Sequence, residues 1–469
     1  MEYNMLFQSQ AEKMVSAALQ AAIAQGDNQR KQRAGKQLLF YQNEQEHAIQ
    51  EYFNKNFVHP EKRTPLFINV VRKIIFLLAM VYNQDAKRRI EGTDQDQAIF
   101  TEIETTASLA TVMKQANRLS KLLGVILLRP IWRNGEMQVD VLPPDILDVV
   151  WGDTPHDIQE VVITRNDPDG DVSALTFSRW TPEIFQRLDY RGHVLEEYEN
   201  PYGRLPFVPV WSEPPLDNFW LTGAQDLITV QDGINQILSD LLYTLKLQSF
   251  SVFYIKGGVD KSKEFTYGPG QVIALPKEGE VGFAAPNAPI EEALAAVESL
   301  MRQAAMTNGL SAASLNIRPQ EESGRSKQVS NSELEERRAD DLALFARYED
   351  QLFSLFKVIW NAHNLGRQIS PEAVLWCQFY QPEISQTPYE KASNWRALLE
   401  MEVISPVDIV MSLNPDLDRE TAIAQLQRTQ QEIEMFEDKR LPSLANIFPA
   451  DERPPSWFKQ LSAPLPLKE

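Results

Sequence analysis

The strongest constraint on the fold is a run of apolar residues at helical spacing between Gly223 and Ser249. Leu227, Val230, Ile234, Ile237, Leu238, Leu241, Leu242 and Leu245 recur three and four residues apart, which predicts one long amphipathic helix. At 1.5 Å per residue this rod is roughly 40 Å long. Asp226, Gln231, Asp232, Asn235, Gln236 and Asp240 fall off the apolar stripe and read as its polar side. The same period returns from Ile290 to Asn308 in Leu294, Val297, Leu300, Met301, Ala304 and Ala305. Between the rods lie SVFYIKGG, a turn at Gly268-Pro269-Gly270, then QVIALP and VGFAA, ending at Pro289. Two helices flanking a small β module predict a hairpin-like stalk with a head.

After the second rod, Leu315 to Ser330 (LNIRPQEESGRSKQVS) has almost no large apolar residue. It cannot bury a core and reads as an exposed loop, of a length usually functional or disordered. Ser332 with Glu335 forms a capping box that opens a helix of about 30 residues to His363. Its face of Leu342, Phe345, Leu352, Phe353, Phe356, Ile359 and Trp360 must pack on something large. Gly366 ends it.

Upstream, Gln10 to Phe53 is rich in helix formers, with Met14, Ala18, Leu19 and Ala22 at helical spacing and a loop expected near Gly26 to Arg33. Further helices are expected from about Pro65 to Tyr82 and Thr105 to Leu123. From Gly124 to Ser178 the period changes to short β-type runs: VILLRPIW, MQVDVL, VVW, VVITR and ALTFS. Asn134-Gly135 between the first two marks a type I′ hairpin, since both residues tolerate positive φ. NDPDGD (Asn166 to Asp171) carries its glycine in the wrong place for a calcium loop and reads as a turn. Asn200 to Trp220 carries five prolines and reads as connector and edge strand. Downstream, helices start at Pro388, Pro406 and about Asp418, with Pro at the first helical position costing no hydrogen bond. Leu441 to Glu469 holds six prolines and reads as an extended tail.

Composition removes several function classes. With 46 Lys and Arg against 65 Asp and Glu, the net charge of −19 excludes a surface that grips nucleic acid all over. One cysteine, Cys377, cannot close an internal disulfide and reads as a small buried hydrophobe, and five scattered histidines offer no zinc spacing. No cofactor or metal is expected. The N-terminus has no apolar core of signal-peptide length, and Leu66 to Tyr82 is interrupted by Arg72 and Lys73, so neither secretion nor a membrane span is expected. Gly35-Lys36 is followed by Gln37 and preceded five positions earlier by Arg30, which excludes a phosphate loop. No nucleophile elbow or dinucleotide fingerprint occurs. Glu102 with Glu104 and Asp340 with Asp341 are acidic pairs of the kind that hold magnesium in nucleases, though acids on helices are ordinarily solvated surface. The chain does not read as an enzyme.

Three stretches, in this order, resemble the portal proteins of tailed bacteriophages. NPYGRLPFVPVW (Asn200 to Trp211), leading into AQDLITVQDGINQILSDLLY (Ala224 to Tyr243), is similar to that family's proline-containing strand and first stem helix. Glu322 to Trp360 is similar to the tunnel loop and the long helix after it, and Glu402 to Glu432 resembles the helical ending. Together they cover about the last 270 residues; the first 120 match only in being helical.

The resemblance implies an α+β, mainly helical subunit. Residues 1–222 would be the wing (β-rich over 124–222), 223–249 and 290–311 the stem, and 250–289 the clip. Residues 315–330 would be the tunnel loop, 331–366 the long wing helix and 367–469 the helical crown with its Pro-rich tail. It further implies a ring, usually of twelve copies, at one capsid vertex, assembled in the host cytoplasm. Double-stranded DNA would pass through it without sequence readout. The implied protein partners are the terminase large subunit, a head-tail adaptor, and the capsid or scaffolding protein, with no membrane. Under that reading Arg318, Ser323, Gly324, Arg325 and Lys327 face DNA from the tunnel loop; a merely solvated loop is the plain alternative. Lys256, Lys261 and Lys263 of the clip would touch DNA, dock a partner or serve solubility. The alternative functions are a structural adaptor or baseplate component without a channel, and a metal-dependent nuclease.

Overall fold

The computed structural model describes residues 28–165, 175–249, 252–256, 280–284, 290–311, 315, 324–380, 388–414 and 417–438. They fall into two compact units, 1–380 and 381–469. The first unit begins with helices α1 (Gln29–Tyr41), α2 (Glu46–Asn56) and α3 (Val70–Leu78). Asn28 caps α1, its Oδ1 accepting from the Arg30 and Lys31 amides at 3.0 and 3.3 Å, so residues expected to be loop up to Arg33 are helical. The break comes at 42–45 instead, where Asn43 takes a positive φ of 72°. The helix expected from Pro65 starts only at Val70.

Strand β1 (Lys87–Glu91) and helix α4 (Asp94–Thr106) follow, then α5 (Leu109–Leu123), shorter at its start than expected because Ser108 turns left-handed (φ 48°). α4 opens with a reciprocal capping box between Thr93 and Asp96.

The β region is antiparallel throughout. β2 (Val125–Arg133), β3 (Glu136–Leu142) and β9 (Val208–Trp211) form a three-stranded sheet in the order β3-β2-β9. β4 (Leu147–Trp151), β5 (Ile158–Arg165), β6 (Thr176–Trp180), β7 (Ile184–Leu188) and β8 (Val194–Glu199) form a five-stranded meander. Asn134 (φ 55°) and Gly135 (φ 86°) make the expected hairpin between β2 and β3. β9 is an edge strand, as its Pro209 requires. The turn at NDPDGD lies outside the described residues.

Val125 to Pro130 are all buried, so both faces of β2 are covered, and α5 and the long helix Gly324–His363 pack on that sheet. The chain then runs through α6 (Gln225–Ser249), β10 (Val252–Lys256), β11 (Glu280–Ala284), α7 (Ile290–Thr307) and α8 (Gly324–His363) to β12 (Val374–Gln378). α8 starts eight residues before Ser332, so the expected capping box does not open it. Its apolar face, Phe345, Leu352, Phe353, Phe356, Ile359 and Trp360, lies in the core as expected. β12 pairs with β1, Arg89 opposite Trp376. Residues 367–380, expected in the crown, therefore belong to the first unit.

The second unit carries α9 (Pro388–Glu400), α10 (Pro406–Leu413) and α11 (Arg419–Asp438). Ser405 and Asp408 form a capping box on α10, and Arg419 reaches the Asp408 carboxylate at 3.3 Å. The tail after 438 lies outside the described residues.

Candidate functional site: a helix pair bearing a β hairpin

α6 and α7 run antiparallel against each other, the amide of Asn308 just past α7 reaching Asp226 in the first turn of α6 (3.5 Å). Their far ends lead into β10 and β11, paired from Val252↔Ala284 to Lys256↔Glu280. The predicted stalk with a β head is thus present, although QVIALP lies outside the described residues.

α6 is fixed at its base by a polar stripe, not only by its apolar one. Gln231, Asn235 and Ser239, one turn apart, are 1%, 1% and 0% exposed. Gln231 Oε1 accepts from the Val70 and Val71 amides at 2.8 and 3.3 Å, supplying the partner that the first turn of α3 lacks. Its Nε2 donates to Ile68 O (2.6 Å) and Asn235 Oδ1 (2.7 Å). Asn235 donates onward to Gln45 Oε1 (2.7 Å), and Ser239 Oγ bonds both the amide and the carbonyl of Leu66. Residues read as the polar side of the rod, Gln231 and Asn235, are therefore core. The flanking acids are paired as well. Asp232 meets Lys36 at 2.5 Å, and Asp240 meets Arg63, whose guanidinium stacks 3.3 Å from the Phe57 centroid. Lys36, rejected as a phosphate ligand, is thus a tether for α6. Arg30 is another tether, holding Asp148 of β4 at 2.8 Å and covering Trp220 just before α6.

The start of α6 crosses the end of α5 at two glycines. Gly124 (φ 84°) and Gly223 (φ 60°) sit so close that a Cβ on Gly223 would lie 2.3 Å from Leu122 O. Only glycine satisfies both the φ and the contact.

α8 is pinned where it passes this base. Lys121 of α5 binds Asp341 at 2.7 Å, and Arg337 donates to Asn308 O just past α7. Burial pushes the Asp341 carboxyl above its ordinary value despite Lys121. Further along, Tyr348 Oη accepts from Trp211 N at 3.2 Å, and burial pushes its hydroxyl up to about 12. Glu349 and Arg88, each with a side chain 1% exposed, pair at 2.7 Å, with Tyr82 Oη donating to Glu349 at 2.7 Å.

The residues singled out from the sequence fare differently. Gly324, Arg325 and Lys327 lie in the first turns of α8 and not in a loop. Polarity misled here: the segment has little to bury, but Arg, Lys, Gln and Glu are good helix formers and hold a helix without a core. Arg318, Ser323, Lys261 and Lys263 lie outside the described residues. Lys256 ends β10 opposite Glu280, 3.4 Å away with both side chains well exposed, a pair worth at most about 1 kcal/mol. Three of the candidate metal acids have basic partners: Glu104 with Arg88 (2.9 Å), Glu102 with Arg367 (2.6 Å) and Asp341 with Lys121. Among the described residues no group of three His, Cys, Asp or Glu is placed to hold a metal, and no helix is long and apolar enough to cross a membrane. Cys377 is half-buried on β12, and burial pushes its thiol up to about 12.

A family model described as "Phage portal protein, SPP1 Gp6-like" matches residues 21–436. The chain belongs to this portal family. It is thus a virion protein of the head-tail connector class. No curated protein matches the sequence. Among solved structures, the portal chain is similar to "Neck of empty GTA particle computed with C6 symmetry" (11% identity, 74% of this chain and 90% of that one, TM-score 0.44). It is also similar to "Virion of native gene transfer agent (GTA) particle" (13%, 72% and 88%, 0.41) and "Neck of native GTA particle computed with C12 symmetry" (12%, 74% and 89%, 0.39).

Proposed function

We propose that this portal chain forms a ring of twelve at one capsid vertex, through which a terminase packages double-stranded DNA and to which a head-tail adaptor attaches. The observation that carries the reading is the antiparallel α6–α7 pair with its β10–β11 hairpin, anchored by buried polar groups in a portal-family chain. Copies of such a rod arranged around an axis make a tube with a β rim. In this reading α6 and α7 are the stem, the hairpin is the clip that meets terminase and adaptor, and the segment leading into α8 together with the first turns of α8 faces DNA. The second unit with α9–α11 is the crown. The ring is built in the bacterial cytoplasm and incorporated with the capsid or scaffolding protein.

The charge supports passage and not gripping. Twelve copies at −19 each carry a formal −228. A wall of cations would retain DNA through counterion release, with affinity growing for each phosphate neutralised. An acidic ring avoids that, leaving Arg318, Arg325 and Lys327 to meet the duplex without sequence readout, with Ser323 and Gly324 beside them. Lys256, Lys261 and Lys263 sit in the segment given to the clip.

Deleting Gly324 to Gln328 tests this. The expected result is assembled rings with impaired packaging or retention of DNA; unchanged packaged DNA would count against the reading.

A further inference from the structure

A groove of about 660 Å³ lies between α1 and α2 on the flank of α6. Both helices pack on α6, and Asp232 of α6, paired with Lys36 of α1 at 2.5 Å, lines the groove where they meet it. Apolar surface faces into it: Leu39 of α1 is 41% exposed, next to the buried Phe40, and Ala48 and Tyr52 of α2 are half-buried. Gly35 sits midway along the α1 side. A Cβ there would meet nothing within 4 Å, and its φ is not positive, so nothing among the described residues requires a glycine. Glycine costs a helix interior about 1 kcal/mol relative to alanine. It is also the residue that lets a second backbone approach closely.

The chain itself carries a segment that matches this groove. Gln10 to Gln25 holds no Gly or Pro and only two charges, Glu12 and Lys13, while Met14, Val15, Ala18, Leu19 and Ala22 recur three and four residues apart. A helix of about 16 residues is marginal in water unless such a stripe is covered. Gly26 ends the pattern, and Asn28, extended at ψ 98°, caps a fresh start at Gln29, so the chain changes direction before α1. Gly26 to Asn28 is long enough to turn one helix back on the next. The α1 side of the groove begins at Gln32, about one turn from that point.

We propose that residues 10–25 form a helix that folds back along α1 and fills this groove in the same copy, with Val15 beside Leu39 and with Ala18 and Leu19 over Gly35. Running antiparallel to α1, the helix brings its first turn to Glu44, which lines the groove just past the end of α1 and has no basic partner among the described residues. The positive end of the helix and Lys13 both suit that acid. Groove and segment belong to one copy, so the contact needs no ring. It braces α1 and α2 against the rod they hold.

The test uses the full-length chain with Cys377→Ser, which removes the native thiol, plus Val15→Cys and Leu39→Cys together. Mild oxidation should consume both thiols and leave the chain at monomer mobility on a denaturing gel without reductant. A ladder of dimers and higher species would show a neighbour's segment in the groove and overturn the same-copy seating. Thiols that stay open to alkylation would overturn the seating itself. Hydrogen exchange gives an independent reading on the chain without cysteine changes. The amides of 14–22 should be protected, and Leu39→Asp should abolish that protection while the amides of β2 keep theirs. Amides of 14–22 that exchange as in an unstructured peptide, or protection that survives Leu39→Asp, would overturn the proposal.

Discussion

Gln231→Leu removes the centre of the polar stripe beneath α6 while nearly preserving volume. The change strips the Val71 amide and Asn235 Oδ1, both on residues 1% exposed, of their partner, while Val70 N and Ile68 O lose Gln231 but keep their own 3.2 Å bond to each other. An unsatisfied buried polar group costs about 1–3 kcal/mol, and some relaxation at the start of α3 offsets part of the sum. The expected loss is about 2–4 kcal/mol, large for a single substitution. Gln236→Leu, half-exposed on the same helix, should stay within about 0.5 kcal/mol and serves as the control. Chemical denaturation of the purified subunit gives the difference, and hydrogen exchange locates it. The amides of Val70 and Val71 should lose protection first. A loss below about 1 kcal/mol with those amides still protected would refute the claim that hydrogen bonds, and not only apolar packing, fix the rod to its base.

Asp96 gives a pH signature. Burial raises its pKa, but bonds from Ser370 and Thr93 outweigh that and hold it at about 2, below its ordinary 3.8. A carboxyl depressed in the folded state stabilises above its unfolded pKa, so about 2 kcal/mol should vanish as pH falls from about 4 to 2. Asp96→Asn should lose a similar amount at pH 7 and flatten that part of the stability profile measured by thermal melts. Gly223→Ala should cost more than about 2 kcal/mol by denaturant titration, because its φ of 60° and the 2.3 Å approach to Leu122 O both oppose a side chain. Gly366→Ala, with open space around it, is the matched control.

Local signals with a single physical meaning were legible in the sequence. The Asn134-Gly135 turn, the helix start at Pro406 and the apolar periods of α6, α7 and α8 all appear in the structure. The polar stripe of α6 was not legible, because Gln231 and Asn235 look the same whether they face water or a buried helix end. The β1–β12 ribbon joins residues nearly 300 positions apart, and KRRIE carries too much charge to read as a strand. α4 was missed for a similar reason, since its four buried residues, Asp96, Ile99, Phe100 and Ile103, include an acid. Of the candidate DNA-facing residues, the sequence pointed to a polar segment, but the helix starting at Gly324 divides it.

The central claim is that these subunits close into a tube around DNA. Electron microscopy of the purified full-length chain tests it most directly. The account predicts a ring of about twelve copies with a central opening wide enough to pass a DNA duplex. A population of monomers, or of closed assemblies with no axial opening, would contradict it.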